Sequence, residues 1–413
     1  MNSILKQSSF LITAQIFGRV IGFFYTIFLA RNLGVSDFGL LTTALVYFSL
    51  ISVISDFGFN RYLIREIAID HTKAGDLVWN ISIFRLVITS VIFALMSIIL
   101  YILDPDKLRV GMILLSISAI FPLSIAQTID GIFIAKRKLQ FSALALIFLS
   151  VSTALFGIGL VKSGFGVTGA VNALIWGHLV YLMILILFIW REKTKVISHV
   201  SLHTFKKIAS QSLPYGLLGI IGLLYFKVDT LLLSYLRGNF ETGIYGVAYR
   251  FLEAVVFIPS SISISIFPFL VKMHTLGSLE IRKVFKKTIL IMGILGSVLT
   301  IAYILILPPV IELVLPEFSP SIKAIKILSF SIPFIFIYVP LSQIILSTDK
   351  YLKSLVILTI ATLIFNIVLN FILIPPYGFL GASVATVASD ILSLIVVILF
   401  IRLKIFKERL TGL

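Results

Sequence analysis

The chain has 413 residues, 59% of them hydrophobic, with a mean hydropathy of +1.12, 13% charged residues and no cysteine. Apolarity on that scale excludes a water-soluble fold, and the lack of cysteine excludes disulfides and thiolate metal sites. A net charge of +16 would point to nucleic acid in a soluble protein, so where the basic residues fall decides what the charge means.

In chain order, apolar runs occupy residues 8–30, 39–59, 79–103, 110–135, 141–162, 169–190, 213–236, 243–271, 288–311, 327–347, 355–374 and 381–401. Each is close to the roughly 20 residues that cross a bilayer core. The expected fold is therefore an all-α polytopic membrane protein with about twelve transmembrane helices. The first run follows Lys6 and lacks an Ala-x-Ala site, so it reads as an uncleaved helix. The segments between runs are too short for a soluble domain, which excludes a tethered kinase, an ATPase cassette or a large outer catalytic domain. Most basic residues fall on one side: Lys6, Arg61, Arg65, Lys73, Lys136 to Lys138, the loops 191–212 and 272–287, Lys350, Lys353 and the tail from Arg402. The positive-inside rule then places both termini in the cytoplasm, and topology rather than nucleic acid accounts for the charge.

Two pairs of turns repeat along the chain. Gly34-Val35-Ser36-Asp37-Phe38-Gly39 matches Gly238-Asn239-Phe240-Glu241-Thr242-Gly243, and Gly166-Val167-Thr168-Gly169-Ala170 matches Gly378-Phe379-Leu380-Gly381-Ala382. Both pairs fall at corresponding places in a six-plus-six division. The expected organisation is an N-terminal six-helix lobe at 1–190, a cytoplasmic linker at 191–212, a C-terminal six-helix lobe at 213–401 and a basic tail at 402–413. An even helix number gives the lobes the same orientation, as parallel pseudo-symmetric repeats.

The residues from Phe28-Leu29-Ala30-Arg31-Asn32-Leu33 through Gly34 to Gly39, the stretch Ser55-Asp56-Phe57-Gly58-Phe59-Asn60 with Arg65-Glu66, and the Gly-x-x-Gly-Ala turns resemble a known family. It is that of the polysaccharide exporters and lipid-linked oligosaccharide flippases of the multidrug/oligosaccharidyl-lipid/polysaccharide (MOP) superfamily. Phe17-Gly18-Arg19-Val20-Ile21-Gly22-Phe23 is also similar to the first helix of peptidoglycan-precursor flippases, whose following Arg-Asp pair is Tyr25-Thr26 here. The resemblance implies a multi-pass inner-membrane protein that turns a polyprenyl-diphosphate-linked oligosaccharide (an O-antigen, capsule or exopolysaccharide repeat unit) from the cytoplasmic to the outer leaflet by alternating access. It implies membrane lipid, a proton or sodium ion, and a polysaccharide polymerase and glycosyltransferases as partners, with no cofactor.

Ionisable groups inside spans cost roughly 3 kcal/mol each at the centre, which makes them functional candidates by default. Arg19 and Lys227 lie deep in their runs. The repeat offset aligns Lys227 with Phe23, one turn from Arg19 on the same face, so each lobe would offer one cation to a central cleft. For Lys227 the alternative is a buried ion pair with a nearby carboxylate; Asp229, two residues away, is on a different face. Arg250 and Glu253 share a face and can pair. Arg61 and Arg65, four apart, would receive substrate phosphate at the inner mouth. His178 and Asp390 occupy equivalent places in the last helix of each lobe and, with Glu253 and Asp229, are the candidates for ion coupling; packing is the alternative for His178. Tyr25, Tyr225, Tyr245 and Tyr249 would meet sugars or serve as aromatic filler. Asp56, Arg85 and Asp130 lie near span ends, where snorkelling or pairing with Arg61, Lys136 or Arg137 would suffice.

Other chemistries find little support. Gly164 to Gly169 fits G-x-G-x-x-G without a preceding strand, and His199 and His203 lack the Glu of a H-E-x-x-H site. An ion-coupled multidrug or small-metabolite antiporter of the same architecture is the competing reading, and it would favour acidic over basic binding groups. A major-facilitator transporter should show Gly-x-x-x-Asp-Arg near 60–78, and a sugar polymerase a long outer loop; the chain has neither.

Overall fold

The computed structural model describes residues 2–192, 202–276, 278–347 and 349–406. The helices are α1 (Asn2–Asp56), α2 (Phe59–Ile69), α3 (Ala74–Leu103), α4 (Lys107–Ser118), α5 (Ile120–Ala135), α6 (Leu139–Leu160), α7 (Gly166–Arg191), α8 (Leu202–Leu236), α9 (Gly238–Leu276), α10 (Ser278–Val314), α11 (Ser321–Ser329), α12 (Ser331–Leu346) and α13 (Leu352–Phe400). No strand occurs among the described residues.

Eight of the described helical stretches are long and apolar enough to cross a membrane, and the pair α11 and α12, bent by 43°, makes a ninth. Three of the eight are over-long: Ser9–Asp56 has 48 residues, Leu139–Arg191 has 53 and Leu352–Ile405 has 54. A bilayer core takes only about 20. Each of the three is broken near its middle by a glycine at positive φ, namely Gly34, Gly164 with Gly166, and Gly378. Each therefore folds as two spans, which makes the described helices consistent with the expected twelve. The sequence-repeat glycines are the residues that break the chain. Gly166 has φ 50 and ψ −137, and its counterpart Gly378 has φ 57 and ψ −134. Gly34 and its counterpart Gly238 have φ 76 and φ 81. A side chain with a Cβ is strained there, so the repeat marks positions where the backbone must reverse.

The chain forms two compact units, Met1–Leu223 and Leu224–Leu413. The boundary falls inside α8, downstream of the 191–212 segment read as the linker, of which 193–201 lie outside the described residues, as does the tail from 407. In the first unit, α1, α6 and α7 pack on one another, with α4 on α1 and α7, and α5 on α7, α3 and α2. Small residues permit the close approaches: a Cβ on Gly157 would collide with Tyr25, and one on Gly177 with Thr153. This is the packing that helices use in lipid, where apolar area alone supplies no driving force between them. One core gathers Phe59, Leu63, Ile67, Ile81, Phe133 and Leu185. The second unit packs α12 against α9, α10 and α13, and α11 against α9 and α13, around Leu270, Ile281, Phe285, Leu341, Ile345 and Ile401.

Two local features were not read from the sequence. After α1 the backbone takes two consecutive left-handed residues, Phe57 and Gly58, then continues as the short amphipathic α2 with Phe59, Tyr62, Leu63 and Ile67 buried. Asp70 ends α2 and caps the next turn; the hydroxyl and the backbone N–H of Thr72 hold its carboxyl below the usual carboxylate range.

Candidate functional site

The second unit holds three of the named charges in one cluster. Lys227 on α8 donates to Glu253 Oε1 on α9, and Arg250 Nη1 donates to Glu253 Oε2 at 3.1 Å. Arg250 and Glu253 meet because residues three apart share a helix face. Their side chains are 19% (Lys227), 31% (Glu253) and 44% (Arg250) exposed, so the cluster lies at a surface of the unit rather than in its interior. Two cations on one carboxylate leave a formal charge of +1. Lys227 Nζ also stands 5.5 Å from the centre of the Tyr249 ring, an orientation that favours the cation. Lys227 thus pairs with a carboxylate, as the alternative reading had it, but in a partly exposed cluster and not in a buried pair, and Glu253 is shared between two cations.

Two further carboxylates are buried in the same unit. Asp229 accepts from the Thr230 backbone N–H at 2.7 Å, the Thr386 hydroxyl at 3.1 Å and the Tyr245 hydroxyl. Lys227 and Asp229, on different faces, take different partners, as their spacing requires. Asp390 on α13 accepts at Oδ1 from Tyr225 at 2.9 Å and from Tyr338 at 3.5 Å, and Tyr225 shares a 3.1 Å bond with Ser393. One turn before Asp390 the same helix carries Thr386, and Asn366 donates to Ser389 at 3.1 Å. Tyr225 and Tyr245 are therefore occupied with aspartates, and Tyr245 is fully buried.

The first unit arranges its named residues differently. Arg19 lies on the exposed side of α1, and Arg61 and Arg65 project from the exposed side of α2. His178 is buried, donates Nδ1–H to the Leu174 carbonyl at 2.7 Å and packs 5.4 Å from the Phe48 ring. That geometry suits the packing alternative. Equivalent positions in the repeat thus carry a backbone-bonded imidazole in one unit and a tyrosine-bonded carboxylate in the other.

Arg85 is the residue that sequence reasoning undervalued. Its side chain is 1% exposed, and it reaches Asp56 at 3.4 Å, Gln127 Oε1 at 2.6 Å and Thr128 Oγ1 at 3.3 Å. The partner of Asp56 is therefore Arg85 and not the basic residues of the neighbouring loops. Position along one helix was misleading because burial is set by α5 packing over α3. At the far end of α3, Arg109 forks onto Asp104 with two bonds of 2.7 Å, fixing the turn into α4. No group of three or more His, Asp or Glu able to hold a metal occurs among the described residues.

Comparison with known proteins agrees with this architecture. The sequence model of the family described as polysaccharide biosynthesis protein matches residues 4–274, and that of the MatE family matches residues 214–372. Among curated relatives, a probable flippase, AglR, of Haloferax volcanii is 23% identical over 269 residues, covering 62% of this chain and 53% of that protein. An uncharacterized membrane protein of Methanocaldococcus jannaschii is 28% identical over 203 residues, 49% of this chain and 47% of its own. The chain thus spans about half the length of the curated relatives it matches. Among solved structures, the inward-facing conformation of a multidrug resistance MATE family transporter of the MOP superfamily superposes with a TM-score of 0.75 at 16% identity, over 92% of this chain and 94% of that one. The lipid II flippase MurJ in an inward closed conformation gives 0.74 at 18% identity, over 97% and 90%. Identities this low establish the fold alone, whereas the polysaccharide biosynthesis match covers well over half of the sequence. The chain belongs to the polysaccharide biosynthesis protein family, built on the fold that transporters of the MOP superfamily share.

Proposed function

We propose that this multi-pass membrane protein moves a polyprenyl-diphosphate-linked oligosaccharide from the cytoplasmic to the outer leaflet of the inner membrane by alternating access, with both termini in the cytoplasm. The observation that carries the reading is the half-exposed cluster of Lys227 and Arg250 on the single carboxylate of Glu253. Its net positive charge suits an anionic headgroup: the guanidinium offers paired hydrogen bonds to phosphate oxygens and the ammonium a point charge. The diphosphate would take over bonds now made to Glu253, while the polyprenyl tail stays in the bilayer. Arg19, Arg61 and Arg65, exposed in the first unit, are further places for phosphate to meet the protein. The probable flippase from Haloferax volcanii and the lipid II flippase of the same fold support the substrate class. With the cytoplasm negative, outward transfer of the anion gains about 2.3 kcal/mol per charge per 100 mV, and a polysaccharide polymerase and glycosyltransferases would act on either side of the step.

One observation favours a second reading, an ion-coupled multidrug or small-metabolite antiporter. Asp229 and Asp390 are carboxylates buried within membrane helices, the kind of group that binds a coupling cation, and the MATE transporter shares the fold.

Reconstituted vesicles decide between the two. Wild-type protein should transfer short polyprenyl-diphosphate oligosaccharides between leaflets, and Lys227→Ala and Arg250→Ala should each slow transfer about tenfold or more, since a hydrogen bond to a charged group contributes about 1.5–3 kcal/mol. Uptake of organic cations, with no transfer of any lipid-linked sugar, would sink the flippase reading.

A further inference from the structure

Where α10 begins and α13 finishes, the second unit gathers a basic surface that the transport reading does not use. Residues 281–290 and 401–406 hold six basic side chains, Arg282, Lys283, Lys286, Lys287, Arg402 and Lys404, and no Asp or Glu. Buried Ile281, Phe285, Ile401 and Ile405 join the two segments in one core. Helical spacing then leaves Lys283, Lys286, Lys287, Arg402 and Lys404 exposed. Past α13 the chain takes one π-helical turn, Ile401–Ile405, a form frequently found at functional sites.

The two arginines are held by a reciprocal arrangement of rings. The Arg282 guanidinium stands 5.0 Å from the centre of the Phe406 ring, that of Arg402 stands 6.0 Å from the centre of Phe285, and the two rings meet edge to face at 5.3 Å. Each segment thus supplies one guanidinium and the ring that supports the other's. Such support orders a cation without neutralising it. None of Arg282, Lys286, Lys287, Arg402 and Lys404 enters a salt bridge among the described residues, whereas in the first unit Lys73 is paired with Asp70 and Lys138 with Glu192. Like charges held together without a carboxylate repel one another, and an anion between them relieves the repulsion. The positive-inside rule accounts for basic residues at such an end, but not for their ordering on rings.

The apolar surface next to the cluster selects the kind of anion. From Lys287, exposed apolar side chains continue along α10 at helical spacing as Leu290, Ile291, Ile294, Val298 and Ile301. Leu403, 61% exposed, lies between Arg402 and Lys404. A soluble polyanion or an acidic protein segment would meet the charges alone. A phospholipid meets both, with its phosphate on the cations and its acyl chains on the stripe.

We propose that this end of the second unit binds an anionic phospholipid of the leaflet it borders, the phosphate being taken by the guanidiniums of Arg282 and Arg402, with Lys286 and Lys287 adding charge. Arginine forks match phosphate oxygens in pairs, and clusters of four or more Lys and Arg at a membrane face attract anionic headgroups. On the proposed orientation the leaflet is the cytoplasmic one. The site is separate from the Lys227, Arg250 and Glu253 cluster and does not depend on the cargo.

Native mass spectrometry of the full chain released from detergent counts bound lipids directly. With the two lipids supplied at equal concentration, phosphatidylglycerol should fill one site well ahead of phosphatidylcholine. Arg282→Gln combined with Arg402→Gln should weaken the first phosphatidylglycerol about tenfold or more. Phe406→Leu, which keeps an apolar side chain but removes the ring under Arg282, should weaken it severalfold. Lys323→Ala combined with Lys326→Ala takes the same charge from the exposed side of α11 and should leave it unchanged. Equal losses in the two double variants would mean that the lipid answers to net charge alone and would overturn the site. Equal binding of phosphatidylcholine, or an unchanged affinity in Phe406→Leu, would overturn it as well. Displacement of the lipid by glycerol phosphate would assign the cluster to a soluble phosphate instead. Because the measurement needs no transfer, failure of the flippase reading leaves its outcome untouched.

Discussion

At Glu253, one carboxylate is divided between Lys227 and Arg250, so its removal should act in the opposite direction from removal of either cation. Glu253→Gln is expected to bind inorganic diphosphate more tightly, by about tenfold for the loss of one close competing charge pair. Titration calorimetry reads this directly. Weaker binding would show instead that Glu253 serves to hold the cations in place. Arg85 illustrates the contrasting, structural kind of charge. Breaking a buried pair by removing one partner costs about 3–5 kcal/mol, and because the Asp56 side chain is 26% exposed the lower end applies. Arg85→Met should therefore lower the thermal unfolding temperature by several degrees in detergent, and Arg85→Lys should recover only part, since lysine cannot keep the Gln127 and Thr128 bonds together. Arg61→Ala, exposed on α2, should change stability by no more than about 0.5 kcal/mol. The sequence ranked these residues by depth within their own helices, which located Lys227 and the Arg250–Glu253 pair. It misplaced Arg85 because the residues that bury that side chain come from another helix.

Turns were more legible than burial, for a physical reason. A backbone reversal at positive φ favours glycine whatever packs around it, so Gly34, Gly166, Gly238 and Gly378 stand out in the sequence, and each pair of the repeat shares its positive φ. At Gly378 the demand is double. Its φ is 57, and the Glu241 carboxylate lies where a Cβ would be while accepting from the Phe379 N–H at 2.8 Å. Gly378→Ala should thus lose about 1–3 kcal/mol from the strained backbone together with the Glu241 bond. Gly159→Ala, in helical conformation with nothing within 4 Å, should be neutral or slightly stabilising. Equal effects in an unfolding assay would mean that the break at Gly378 relaxes freely. By contrast, α2 left no signature of its own. Phe57 takes a left-handed conformation that its residue type does not favour, and of the four buried apolar residues of α2 only Phe59 falls in the preceding run, while Tyr62, Leu63 and Ile67 lie in the segment read as a cytoplasmic loop.

Across the whole molecule, the number of spans follows from hydropathy, while their orientation rests on the distribution of Lys and Arg. The second argument is energetic and statistical rather than geometric, so it calls for a direct measurement. The sequence contains no cysteine, which makes single introduced cysteines a probe on an otherwise native chain. Arg137 lies in the turn between α5 and α6, and Lys323 in α11 at the other end of the predicted topology. In sealed cells, a membrane-impermeant thiol reagent should label Lys323→Cys at once and Arg137→Cys only after permeabilisation. The reverse pattern would overturn the topology drawn from the distribution of Lys and Arg, while the field would be unchanged and outward transfer of an anion would still gain about 2.3 kcal/mol per charge per 100 mV. With the cytoplasm negative, the field draws a site loaded with diphosphate outward and the emptied, positively charged one inward in either orientation, so the labelling pattern tests the topology itself and not the electrical driving force.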